Sequence, residues 1–137
     1  MPEQVFIDSA GLLAILSEDD EHHAKAVTLF AELNRTATRY VTSDFVLGEF
    51  LASASRVIIR AEAAITVDQL RRSARVTIVE GTRVLWDRSF DLYKSRPDKQ
   101  WSLVDCSSML LCADFNIHRV LTTDHHLEQA GLVRLLR

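Results

Sequence analysis

The sequence predicts a three-layer α/β/α fold around a central parallel sheet of about four to five strands. Three observations carry that reading. Short β-favouring runs alternate with longer segments of helical periodicity along the chain, as repeated βα units do. Strand-ending positions are followed by side chains that cap helices. The connections between successive runs are long enough for the crossovers that parallel strands require.

Val5 to Ile7 is a β-favouring run ending at Asp8, and Gly11-Leu12-Leu13-Ala14-Ile15-Leu16 follows, a βα start. From Asp19 to Arg35, Ala26, Val27, Phe30 and Leu33 recur at three- and four-residue intervals, the period of an amphipathic helix. Tyr40-Val41-Thr42 reads as the second strand. Ser43 or Asp44 then caps a helix running to about Ile58, with another from Ala61 to about Ala74. Val76 to Val79 is the third strand. Thr82 to Ser95 is a helix that Pro97 terminates, because proline lacks the backbone donor a helix needs. Ser102 opens the next helix, Leu103 to Phe115, and His118 to Thr122 forms a fourth strand closing at Thr123 and Asp124. A last short helix and Leu132-Val133-Arg134-Leu135 complete the chain.

The chain has 137 residues, the size of one compact domain, so residues 1–137 are read as a single core. Apolar residues are 47% and charged residues 26%, which excludes disorder and fibrous repeats. A net charge of -3 argues against a broad basic face, so any grip on nucleic acid must be local or assisted by metal ions. Cys106 and Cys112 are six positions apart on one helix, out of disulfide geometry, which suits a reducing compartment. No signal peptide and no membrane-spanning run is apparent, and a cytoplasmic protein is expected.

Four acids occupy matching places in this scheme. Asp8 ends the first strand, Glu49 lies on the helix after the second, Asp105 opens a later helix, and Asp124 ends the fourth strand. In open α/β sheets the ligand crevice lies at the carboxyl ends of the strands, where these residues can converge. Hard oxygen ligands, with no HExxH and no paired CxxC, suit Mg²⁺ or Mn²⁺ rather than zinc. Each acid has a plainer explanation: Asp8 and Asp124 as helix caps, Glu49 as a solvated helix residue, and Ser102 to Asp105 as a capping box. Apolar neighbours of Glu49 and Asp105 weigh against those explanations, since buried carboxylates need partners or a metal.

Several motifs then resemble the ordered acidic motifs of PIN domains over nearly the whole chain. They are Val5-Phe6-Ile7-Asp8-Ser9 with Leu12-Leu13-Ala14, Thr42-Ser43 leading to Val46-Leu47-Gly48-Glu49, Pro97 through Cys106, and Leu121-Thr122-Thr123-Asp124 through Gly131. The closest resemblance is to single-domain members, many of them VapC-type toxins of prokaryotic toxin–antitoxin pairs. It implies a metal-dependent endoribonuclease with Asp8, Glu49, Asp105 and Asp124 as the catalytic metal ligands. It also implies an RNA substrate, an antitoxin partner and a homodimer. By the two-ion template, one ion at Asp8, Asp105 and Asp124 would activate water and a second near Glu49 would stabilise the leaving oxygen.

Ser9, Ser102 and Thr123 flank these acids and can orient them, or can simply cap helices. Asp98 reads as a turn residue after Pro97. His125 and His126 adjoin Asp124, but a doublet on a helix is not expected to aim both rings at one ion, so exposed or substrate-contacting side chains are expected. His22 and His23 are expected to face solvent. Arg56, Arg60, Arg71, Arg72 and Arg75 form the densest basic cluster, a solvated helix face or a contact for RNA backbone. Trp86 and Trp101 can stack on bases, though core packing is the commoner use. A haloacid-dehalogenase phosphatase would need a second aspartate where Ala10 stands. A receiver domain would need an acidic pair beside the first strand. The remaining rivals are a PIN nuclease of RNA processing and a non-catalytic RNA-binding or adaptor domain.

Overall fold

The computed structural model describes residues 3–137. Its sheet has five parallel strands in the order β3-β2-β1-β4-β5. They are β1 (Gln4–Ile7), β2 (Arg39–Ser43), β3 (Val76–Val79), β4 (Arg119–Leu121) and β5 (Val133–Arg134). Six α-helices join them: α1 (Ser9–Leu16), α2 (His23–Asn34), α3 (Asp44–Ser53), α4 (Val57–Arg72), α5 (Arg83–Ser95) and α6 (Leu103–Asp114). Among the described residues no helix is long and apolar enough to cross a membrane.

The strand pleat divides the core in two. Val5 and Ile7 point to one face, where α1, α2, α3 and α4 bury Leu12, Ala26, Phe50 and Ala63. Phe6, between them, points to the other, where α5 and α6 bury Leu85, Cys106, Met109 and Leu111. Burial on both faces gives the continuous apolar runs that distinguish parallel strands from the alternating strands of one-sided sheets. Fully burying one such side chain contributes about 1.5–3 kcal/mol, so the two clusters account for the three-layer arrangement expected from sequence.

Helix starts follow their caps. The Ser43 hydroxyl accepts from Val46 N at 3.1 Å, and the Thr82 hydroxyl accepts from Leu85 N at 3.1 Å. Boundaries elsewhere shift for local reasons. The second helix begins at His23 rather than Asp19, because the Asp20 carboxylate accepts His22 N and holds residues 17–22 in turns. The break expected near Ile58 to Ala61 falls at Ala54 to Arg56 instead. Ala54 is buried there, and the β-branched Val57-Ile58-Ile59 run, a weak helix former, opens α4 rather than ending α3. Strand β4 stops at Leu121, so Asp124 stands three residues beyond it. The last helix is a 3-10 turn, His126–Ala130, closed by Gly131 in the left-handed region at φ 87°.

Strand order fixes where a crevice opens. The chain moves outward from β1 through β2 to β3, then returns to the other side of β1 with β4 and β5, so the direction reverses between β1 and β4. Gly11 keeps that junction tight. A Cβ at this position would lie 2.1 Å from the Leu121 carbonyl oxygen, so any side chain would push α1 away from the end of β4. The Leu121 carbonyl also accepts Asp8 N at 3.2 Å, which locks the two strand ends together.

Candidate acidic metal site

Asp8 leaves β1 at this reversal and is 3% exposed. It occupies the N-cap position of α1, yet its side chain makes no capping hydrogen bond. Instead its Oδ2 accepts the Thr122 hydroxyl at 2.7 Å. Thr122 is wholly buried, and its oxygen also accepts Asp124 N at 3.0 Å. One threonine therefore connects the acid after β1 to the acid beyond β4. The sequence pointed to Thr123 for this work. The signal for Thr122 was the strand period, which turns residues 121 and 122 to opposite faces.

Glu49 sits on the second turn of α3, partly buried, and its Oε1 accepts the Ser9 hydroxyl in a short hydrogen bond. Ser9 opens α1, so this bond ties the acid on α3 to the residue after Asp8. Asp105 is 6% exposed, at the start of α6. It takes part in a complete capping box: its backbone N donates to the Ser102 hydroxyl at 3.0 Å, and its Oδ2 accepts Ser102 N at 3.0 Å. The cap uses only part of the carboxylate's acceptor capacity.

Asp124 is partly buried and its Oδ1 accepts His126 N at 2.9 Å, though the N-cap position of the 3-10 turn is His125. His126 bridges two of the acids: its Nδ1 lies 3.3 Å from Asp105 Oδ2 and 3.3 Å from Asp124 Oδ1. His125 Nδ1 lies 3.8 Å from the same Asp124 oxygen. Both rings of the doublet thus stand beside Asp124: His125 is exposed, as expected, whereas His126 is partly buried between the two acids. Asp124 and His125 lie in the bend ahead of the 3-10 turn, where helical spacing does not apply. Among the described residues, Asp124, His125 and His126 are the group whose ligand atoms all fall within 4.8 Å of one another. The four acids are linked pairwise through Thr122, Ser9 and His126 and do not close to that distance as a set.

Electrostatically the cleft lacks a counter-charge. Among the described residues no lysine or arginine comes within 4.0 Å of Asp8, Glu49 or Asp105, and the His126 ring is the only basic group that reaches Asp105. Burial raises the Asp8 carboxyl from its ordinary 3.8 to about 7, against the lowering effect of the Thr122 hydrogen bond. The charges of Asp105 and Glu49 push the same way. A buried carboxylate beside two others, with oxygens held by hydroxyls and backbone donors, fits a hard divalent cation.

The remaining sequence candidates separate from the cleft. Asp98 is a loop residue paired with Arg96 at 2.9 Å, and those hydrogen bonds lower its carboxyl to about 2. The arginine cluster is not one patch. Arg56 and Arg71 sit at opposite ends of α4, about 22 Å apart at the helical rise. Arg75 lies beyond the far end, where it donates to the Asn34 carbonyl at 2.8 Å. Trp101 is buried, and its indole N donates to Gln129 Oε1 at 2.8 Å, which pins the loop before α6 to the 3-10 turn after Asp124. Beside it a cavity of about 490 Å³ is lined by Tyr93, Lys94, Arg96, Lys99 and Ser102. The Arg96 guanidinium lies 5.0 Å from the Trp101 ring centroid. Cys106 and Cys112 are free and buried.

A sequence model of the PIN domain matches residues 5–132. The fold is similar to VapC20 of Mycobacterium tuberculosis, described as a sarcin-ricin loop cleaving toxin. The TM-score is 0.84 at 22% identity, covering 97% of this chain and 99% of that one. It is also similar to FitAcB of Neisseria gonorrhoeae, with a TM-score of 0.62 at 12% identity over 94% of each chain. No curated protein sequence matches the chain.

Asp8 gives the metal-free protein a specific pH response. Its carboxyl binds a proton more tightly when folded, at about 7, than at the ordinary 3.8. Its contribution to stability is therefore complete below 3.8 and is lost as pH rises to about 7, on the order of a few kcal/mol. We expect the melting temperature of the metal-free protein to fall between pH 5 and pH 8. Asp8→Asn should flatten that decline and raise the value at pH 8. An unchanged slope in the variant, measured by thermal denaturation in chelator, would contradict the assignment.

Proposed function

The chain belongs to the PIN-domain family, and from that membership and the geometry of its acidic cleft we propose that it is a metal-dependent endoribonuclease. In this reading Mg²⁺ or Mn²⁺ is held by Asp8, Glu49, Asp105 and Asp124. The observation that supports it most is the burial of Asp8 beside Asp105 and Glu49 with no lysine or arginine within 4.0 Å of them among the described residues. Such a cluster costs folding stability, a cost seen where function requires it. A bound divalent ion supplies the missing counter-charge, activates a water and stabilises charge on a phosphodiester.

The chain's own residues prepare that chemistry. Thr122 fixes one oxygen of Asp8. Ser9 orients Glu49, and the capping box orients Asp105. Trp101 and Gln129 hold the Asp105 helix start against the Asp124 loop. The cavity beside Ser102 brings Lys94, Arg96 and Lys99 near this edge, a local basic surface of the kind an acidic protein needs to hold RNA backbone.

The finer reading is the toxin of a type II toxin–antitoxin pair, supported by the likeness to VapC20. An antitoxin would lay an apolar helix on the exposed side chains of α3 and α4 and direct a basic group toward the carboxylates. Leu51, Ile58 and Ile65 are exposed on these helices and support a homodimer through the same region.

Two measurements test this reading. Asp105→Asn keeps an oxygen to accept Ser102 N, so the α6 cap survives while one charge is removed. We expect Mg²⁺- or Mn²⁺-dependent RNA cleavage to fall by orders of magnitude with the melting temperature of the metal-free protein unchanged or slightly raised. A destabilised variant that cuts RNA at the wild-type rate would overturn the assignment. Sedimentation should give a dimer at micromolar concentration, and a monomer there would contradict the homodimer.

A further inference from the structure

The nuclease reading gives no role to the two histidines beside Asp124. We propose that Asp124, His126 and His125, with Asp105, form a mixed oxygen and nitrogen site that binds a first-row divalent transition ion in preference to Mg²⁺. The proposal shares Asp105 and Asp124 with the nuclease reading, but it does not depend on RNA cleavage.

The donor spacing suits coordination. Around one ion with bonds near 2.1 Å, adjacent donors stand about 3.0 Å apart in octahedral geometry and about 3.4 Å apart in tetrahedral geometry. His126 Nδ1 lies 3.3 Å from both Asp124 Oδ1 and Asp105 Oδ2, and His125 Nδ1 lies 3.8 Å from Asp124 Oδ1. His125 is exposed, so its ring can turn by the small amount that closes the remaining gap while staying against the His126 ring, 4.6 Å away between centroids.

The donors are also held in place before any ion arrives. Asp124 is fixed through its backbone N to Thr122 and through Oδ1 to His126 N. Asp105 is fixed by its capping box. The 3-10 turn that carries His126 is anchored by buried Leu127 and by the Trp101 to Gln129 hydrogen bond. Holding ligands by neighbouring hydrogen bonds in this way raises metal affinity.

Ligand chemistry then selects the ion. Mg²⁺ favours oxygen donors in near-ideal octahedra and keeps its waters, whereas imidazole nitrogen favours the first-row transition ions, with affinity rising from Mn²⁺ to Cu²⁺ and falling at Zn²⁺. Two rings and the Asp124 carboxylate within 4.8 Å of one another, with Asp105 beside His126, are a transition-ion donor set. The exposed His125 leaves one side open for an ion to enter.

Co²⁺ is the probe, because its absorption and its paramagnetic shifts report imidazole ligation. With untagged full-length protein, we expect Co²⁺ to shift the ring resonances of His125 and His126 and not those of His22, His23 or His118. His126→Ala should weaken Co²⁺ binding at least tenfold while Mg²⁺ affinity, read by calorimetry, stays within twofold of wild type. His125→Ala, at an exposed position, should weaken Co²⁺ binding about threefold, and it carries the test if His126→Ala does not fold. Co²⁺ affinity unchanged in both variants, or Mg²⁺ affinity lost in step with Co²⁺, would overturn the proposal. Failure of Mg²⁺-dependent RNA cleavage by wild-type protein would count against the nuclease reading alone.

Discussion

A carboxyl group buried among other carboxylates with no cation beside it is the constraint around which this cleft is arranged. Asp8 sits where the sheet reverses direction, 3% exposed, under the influence of Asp105 and Glu49. Water cannot screen a charge there, and no lysine or arginine among the described residues reaches it. The protein therefore holds Asp8 as an acid that ionises near neutral pH, and it compensates with hydroxyl and backbone donors rather than with salt bridges.

The scaffold keeps that cluster from spreading apart. Gly11 lets α1 approach the Leu121 carbonyl so closely that no Cβ fits, which holds the ends of β1 and β4 together. Thr122 spans the same junction from the side-chain direction. On the other side of the cleft Trp101 fastens the start of α6 to the 3-10 turn. Each connection joins residues far apart in sequence, so the site depends on the whole parallel sheet rather than on one loop. Lys94, Arg96 and Lys99 line the neighbouring cavity, where Arg96 pairs with Asp98 and Lys94 with Asp91 rather than with the acids of the cleft.

Much of the fold was legible in the chain because parallel strands buried on both faces leave apolar runs, and because Ser43, Thr82 and Ser102 announce helix starts. Four strands and the capping box at Asp105 could be read that way, whereas the two-residue β5, half exposed, leaves no such run. The α3 to α4 break was misplaced because a weak helix former opens a helix that tertiary burial stabilises. In the site, sequence spacing identified the acids but not what connects them. Thr122 was passed over for Thr123 because choosing between adjacent hydroxyls requires the strand's phase at its last residue. His125 is exposed as expected, but the approach of His126 to Asp105 depends on how the 3-10 turn packs against α6, which spacing along the chain does not give. The arginines of α4 read as one cluster only because sequence distance hides the length of a helix.

We propose that a divalent ion takes the place of the proton on Asp8. The most direct test of this exchange is the number of protons released when Mg²⁺ binds, measured by calorimetry in buffers of different ionisation enthalpy across pH 5.5 to 8. Ligand carboxylates must ionise to coordinate, so binding should release protons in proportion to the protonated fraction. With the Asp8 carboxyl at about 7, release should be greatest below neutrality, fall away by pH 8 and disappear in Asp8→Asn. Mg²⁺ binding without proton release at pH 6.5, or release that persists in Asp8→Asn, would contradict it.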